Sequence, residues 1–205
     1  MQIPGLSGYE DRVRQRLTQK LDRLKIKTTV DRLGNLSANF PGIGPSIMVF
    51  THMDQLGFVV RKIEPDGFLR VERVGGIPER ALPSQAVLVC VDDGDDVTGL
   101  IANKSHHATS VAEKYNVVPY TNLYIDVGLA SESEVKAAGI KVGCPVVYEP
   151  KAFKIGKDRI AGTSVDDRAG CAVALELANF LNKRSSGPPV QLVFSVQEEF
   201  NLRGV

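Results

Sequence analysis

Early in the chain, apolar residues recur at helical spacing: Val13, Leu17, Leu21 and Leu24 share one face, with charged residues between them. Ser7-Gly8-Tyr9-Glu10 just before them has the form of a capping box, so an amphipathic helix is predicted over about 8–25. The pattern then shortens to strand-like runs at Lys27–Val30, Asn35–Phe40 and Ile47–Phe50. Pro41, Gly42, Gly44 and Pro45 mark a turn between the last two. Ile47-Met48-Val49-Phe50 is apolar on both faces, which predicts a central strand of a covered sheet.

From about Gly57 to Gly156 the texture changes. Short runs at Gly57–Ile63, Phe68–Val74, Ala86–Val91 and Val97–Ala102 are separated by turns such as Pro65-Asp66-Gly67 and Asp92-Asp93-Gly94. Dense short strands of this kind predict a small β-rich unit. Two brief helical signals lie within it, at Ser110–Tyr115 and after a second capping box, Ser131-Glu132-Ser133-Glu134. Beyond it, Arg168–Lys183 is apolar nearly all round, predicting a buried helix, and Val190–Val196 predicts another apolar strand. Apolar helix and two-sided strand patterns on both sides of the β-rich stretch predict that it is an insertion. On that reading residues 57–156 interrupt a domain built from 1–56 and 157–205.

With 43% hydrophobic and 24% charged residues over 205 positions, the chain has the composition of an ordinary soluble α/β or α+β protein. Its net charge of +1 argues against nucleic acid or a membrane surface as partner, since either would call for a large basic excess. No apolar run approaches a membrane span, and the opening MQIPGLSGYEDRV lacks the pattern of a signal peptide. Cys90, Cys144 and Cys171 are scattered and odd in number, which predicts reduced thiols in a cytoplasmic protein.

Three polar clusters sit at element ends, where open α/β sheets place their ligands. They are Thr51-His52-Met53-Asp54, Ser164-Val165-Asp166-Asp167 and Gln197-Glu198-Glu199. Each alone has an ordinary structural reading: a hydrogen-bonded loop histidine, an N-cap, a solvated acidic pair. Together they form an imidazole-and-carboxylate set suited to borderline divalent metals. His52 and Asp54 point to one side of an extended chain, so Asp54 can fix the imidazole tautomer. A carboxylate such as Asp166 can bridge two ions, and adjacent acids such as Glu198 and Glu199 can divide ligation from proton transfer. The other candidates are weaker. His106-His107 has no spaced ligand partner, Asp92–Asp96 lacks the downstream Glu of an EF-hand, and Cys171 lies inside the predicted helix.

His52-Met53-Asp54-x-x-Gly57, Ser164-Val165-Asp166-Asp167-Arg168-x-Gly170 and Glu198-Glu199-x-x-Leu202-Arg203-Gly204 resemble, in this order, the cytoplasmic dinuclear-metal aminopeptidases that assemble as tetrahedral particles. That family includes glutamyl and deblocking aminopeptidases, and some members were once labelled endoglucanases. Gly5-Leu6-Ser7-Gly8-Tyr9-Glu10, Gly67-Phe68-Leu69 and Leu123-Tyr124-Ile125-Asp126-Val127-Gly128 are similar to it as well.

The resemblance implies a zinc-exopeptidase-like mixed sheet with flanking helices, and a β-rich insertion used for subunit contacts in a homo-oligomer. It implies two divalent ions, zinc or cobalt, with His52 on one, Glu199 on the other and Asp166 bridging. Glu198 matches the general base and Asp54 the acid that orients the histidine. The peptide bond after the bridging Asp166 is expected to be cis. Glu198 would take a proton from a water held between the ions, the hydroxide would attack a peptide carbonyl, and Glu198 would pass the proton to the leaving amine. Two of the family's ligands, an Asp soon after the Glu pair and a His near the C-terminus, have no counterpart here, and Asn201 stands where Gly is usual. The chain therefore reads as the N-terminal part of such an aminopeptidase acting on peptides. The alternative is a catalytically inactive remnant acting in self-assembly.

Overall fold

In the computed structural model, which describes residues 1–204, helix α1 (Asp11–Arg23) buries Val13, Leu17 and Leu21. Its start corrects the capping-box reading. Glu10 occupies the cap position, yet its side chain caps nothing; the carboxylate accepts the N–H groups of Gly8 and of Gln197, 187 positions away.

The chain continues through β1 (Thr28–Val30), β2 (Leu36–Phe40), β3 (Ile47–His52), β4 (Gly57–Ile63), β5 (Leu69–Val74), β6 (Ala86–Val89) and β7 (Val97–Ala102). Then come β8 (Tyr124–Asp126), α2 (Glu132–Ala137), β9 (Pro145–Tyr148), β10 (Ala152–Ile155), β11 (Arg159–Gly162), α3 (Val165–Leu181) and β12 (Val190–Ser195). These elements form two compact units, one of residues 1–55 with the segment from Lys151 onward, the other of residues 56–150. The first unit resumes a few residues before the position predicted from sequence, because β10 pairs with β11, which leads into α3.

The first unit is a mixed α/β structure around a sheet ordered β1-β2-β12-β3. Strand β12 runs antiparallel to β2 and parallel to β3, with Ser195 opposite His52. Leu36, Ala38 and Phe40 of β2 pack with Leu192 and Phe194 of β12 and with buried residues of α1 and α3. Two expectations need correction. Among the described residues β3 is an edge strand, and Ile47, Met48 and Phe50 are 46%, 63% and 58% exposed, so an apolar run did not mean a covered one. Likewise α3 buries one face only: Cys171, Ala174, Ala178 and Leu181 are inside, while Val173 and Phe180 are exposed.

The second unit is a closed barrel ordered β4-β5-β8-β7-β6-β9. Alternating residues such as Phe58, Val60, Leu69, Val87, Val89, Ile101, Ile125 and Val146 fill it, with Val135 of α2 and Ile140 packed into the same cluster. The second capping box forms in half: Ser131 Oγ accepts the Glu134 N–H, whereas Glu134 Oε2 accepts the N–H of Ala130, one residue before the cap. The signal at Ser110–Tyr115 yields only a turn, with Ser110 accepting the N–H groups of Glu113 and Lys114. No helix among the described residues is long and apolar enough to cross a membrane.

Candidate functional site

Parallel pairing brings the C-terminal ends of β3 and β12 to the same sheet edge, the position where such sheets bind ligands. The ladder runs one step past the strands, with the Met53 N–H donating to Ser195 O at 2.8 Å. His52 closes β3, and Glu198 and Glu199 follow just beyond β12. Asp166 arrives from the start of α3, where Asp166 and Asp167 leave helical geometry and the bond between them is cis.

The side chains converge. Nε2 of His52 lies 2.9 Å from Asp166 Oδ1 and 3.9 Å from Glu198 Oε2. Ligand atoms from His52, Glu198 and Glu199 all lie within 4.8 Å of one another. Asp166 joins this group through His52 and is otherwise open to solvent, its side chain 85% exposed. Asp54, fully buried, lies behind the group: its two oxygens accept the N–H groups of Glu198 at 3.1 Å and Glu199 at 3.0 Å. Its Oδ1 is 3.4 Å from His52 Nδ1, close enough for charge attraction, although that buried nitrogen makes no well-formed hydrogen bond.

Proton affinities reflect this crowding. Burial opposes a charge on His52, but Asp54 and Asp166 outweigh it and raise the imidazole pKa to about 9. Burial likewise works against ionised Asp54, yet His52 and the two backbone N–H groups hold its carboxyl below the usual range. Glu199 is pushed up, by burial and by the neighbouring carboxylates of Glu198, Asp166 and Asp54.

Supporting residues explain several motif positions. Asp167 Oδ1 accepts the Gly170 N–H at 2.9 Å, as an N-cap does, and Thr51 Oγ1 donates to its other oxygen. A Cβ on Gly170 would collide with both that carboxylate and Thr51 Oγ1. Buried Arg168 donates to Ile3 O at 3.1 Å and to Gln55 Oε1 at 3.3 Å, fastening the N-terminal segment. Burial raises the Cys171 thiol to about 11, which keeps it protonated and removes it from consideration as a nucleophile. Glu10 and Asn35 escape the sequence reading: the first reads as the acid of a capping box, and the second as the start of a strand run.

The profile of the M42 glutamyl aminopeptidases matches residues 34–205, most of the chain. This protein belongs to the M42 glutamyl aminopeptidase family. It is 36% identical over 209 residues to the SgcX protein of Escherichia coli K12, and that match covers all of this chain and 56% of SgcX. With the lysyl aminopeptidase of Pyrococcus furiosus it shares 30% identity over 207 residues, covering all of this chain and 59% of that protein. The TET1 peptidase of Pyrococcus horikoshii, which can assemble into a tetrahedron or a large octahedral shell, superposes with a TM-score of 0.89 at 31% identity. That comparison covers 99% of this chain and 60% of TET1. The M42 chain described here thus spans little more than half the length of the relatives it matches.

The donor set of this M42 chain fits a divalent cation. One imidazole and two carboxylates present close-set ligand atoms, and a cation would relieve the mutual repulsion that raises Glu199. A metal requires neutral imidazole, whereas His52 with a pKa of about 9 is protonated at neutral pH in the metal-free protein. Binding of a divalent cation at pH 7 is therefore expected to release close to one proton from His52, and affinity should climb as the pH approaches 9. Calorimetry in buffers of different ionisation enthalpy measures this; a binding heat independent of buffer would refute it. In the metal-free protein the same shift stabilises the fold below pH 6.5, and that contribution is lost as the pH rises through about 9.

Proposed function

We propose that this protein is a metal-dependent aminopeptidase of peptides, with His52, Asp166 and Glu199 as ligands to two divalent ions, zinc or cobalt. The observation that carries this reading is the mutual approach of His52, Glu198 and Glu199, with Asp166 against His52, at the end of parallel strands. When bound, the ions supply Lewis-acid polarisation of the scissile carbonyl and acidify the attacking water. Glu198, partly exposed beside His52, takes the water's proton on a carboxylate oxygen and returns it to the leaving amine. Asp54 keeps His52 turned toward the ligand space and, through two backbone N–H groups, holds both acids in place.

Catalysis is a cytoplasmic function in this reading, consistent with cysteines that form no disulfide among the described residues. Residues 56–150, built mainly around the closed barrel, form an inserted unit that mediates self-association. The shells assembled by the TET1 peptidase support that role.

The test is metal analysis by mass spectrometry alongside hydrolysis of an aminoacyl-nitroanilide panel. It should be run on this chain and on one extended to its relatives' length, with light scattering on both. A hydrolytic zinc site normally has three protein ligands plus water, and here, with Glu198 reserved as base, each ion has two carried ligands. The 205-residue polypeptide is therefore expected to bind zinc or cobalt weakly, to turn over little, and to be oligomeric. The extended chain should hold two ions and hydrolyse the panel. An extended chain that binds no metal would overturn the reading; one that binds metal without turnover would favour a role in assembly alone.

A further inference from the structure

Four successive backbone N–H groups at the end of β12 are held by side chains drawn from three distant places in the sequence. Val196 donates to Asn35 Oδ1 at 2.9 Å, Gln197 to Glu10 Oε1 at 2.9 Å, and Glu198 and Glu199 to the two oxygens of Asp54. Gln197 has φ of +54°, a left-handed conformation uncommon for a residue with a side chain. Such a backbone persists only where its surroundings over-determine it. Here it lies immediately before the base.

Glu10, like Asn35, is a partner that the proposed chemistry does not otherwise use, and it is the one that accepts the Gln197 N–H. It is 4% exposed, and a carboxylate buried to that degree is unfavourable unless its oxygens are satisfied. One of its oxygens accepts Gly8 N–H at 2.7 Å and Gln197 N–H at 2.9 Å, joining the N-terminal turn to the segment that carries the acids. On the far side of the same segment Asn35 is fixed by Asp31 and also donates to Gly204 O, so both flanks of Gln197 are anchored.

We propose that Glu10 is a positioning residue for Glu198 and Glu199, acting through the Gln197 N–H to fix the left-handed turn that aims them at the ligand space. The proposal rests on the metal reading above. It differs from a general stabilising role in predicting a local effect on the turn and a matching effect on metal.

The experiment uses the chain extended to its relatives' length and compares the wild type with Glu10→Ala, Glu10→Asp and Glu10→Gln. Asp keeps the charge but falls a methylene short of Gln197, whereas Gln keeps an acceptor at the same reach. Amide hydrogen exchange, which needs no metal, should show residues 197–199 losing protection in the Ala and Asp variants, with β2 unchanged and Gln retaining most of it. Cobalt(II) titration followed by its absorption spectrum should show affinity falling about 10- to 100-fold for Ala and Asp, the usual effect of removing a partner that orients ligands. Gln should recover most of that affinity. If Ala fails to fold, the Asp–Gln contrast decides. Protection lost at 197–199 with cobalt affinity unchanged would overturn the positioning role and leave the metal reading standing. A wild-type extended chain that takes up no cobalt would overturn both.

Discussion

Glu198→Gln, made in a chain extended to its relatives' length, is expected to lose about 10²- to 10⁴-fold in turnover, the range a general base contributes, while its metal content stays the same. Gln is nearly isosteric and still donates its backbone N–H to Asp54, so the turn beyond β12 is kept and only the proton acceptor goes. Glu199→Gln should behave in the opposite order, releasing one ion first and losing activity as a consequence. Steady-state kinetics beside metal analysis separates the two. Equal metal loss in both variants would mean that Glu198 is a ligand and that the proton is carried elsewhere.

Asp54→Ala is expected to be the most damaging single change to the first unit. The substitution orphans the buried N–H groups of Glu198 and Glu199 and strips His52 of the carboxylate beside Nδ1. Removing one partner of a buried charged pair typically costs about 3–5 kcal/mol. For a protein of this size that corresponds to a fall in melting temperature on the order of 10 °C. Because the Asp54 pKa is lowered, the wild-type contribution is present above the ordinary carboxyl pKa of 3.8 and is lost as the pH falls through its lowered value. The gap between the Ala variant and wild type should therefore narrow in acid, which thermal melts from neutral pH downward would reveal. Asp54→Asn, which keeps one acceptor oxygen, should fall between them.

The ends of strands were the most legible part of this sequence. His52, Asp54, Glu198 and Glu199 stand out only as a set, since each alone has an ordinary structural role, and α/β texture on both sides of a β-rich stretch suggests an insertion. What escaped was non-local. Ser7-Gly8-Tyr9-Glu10 has the same spelling whether the glutamate turns back to its own helix or reaches Gln197, and nothing nearby distinguishes the two. Asn35 reads only as the start of a strand run until Val196 is placed beside it. Ile47-Met48-Val49-Phe50 failed differently: its hydrophobicity records faces suited to burial, not whether neighbours cover them. Barrel closure was hidden because β8 and β9 are only three and four residues long, too short for a period-two pattern to stand out.

The parallel pairing of β3 with β12 also has a consequence for the order in which this molecule folds. Asp54 and the Glu198 N–H that it accepts are 144 positions apart, so the ligand cluster is not complete until β12 has docked. Closing so long a loop carries an entropic penalty that local contacts cannot offset, and topologies of this kind fold slowly. The barrel lies within that loop and has a hydrophobic cluster of its own. Once it has collapsed, nearly a hundred residues stop behaving as free chain, and the search that remains is for α3 and β12 alone. The insertion thus acts as an internal tether during folding, and damage to its core would delay formation of the ligand cluster without touching any residue in it.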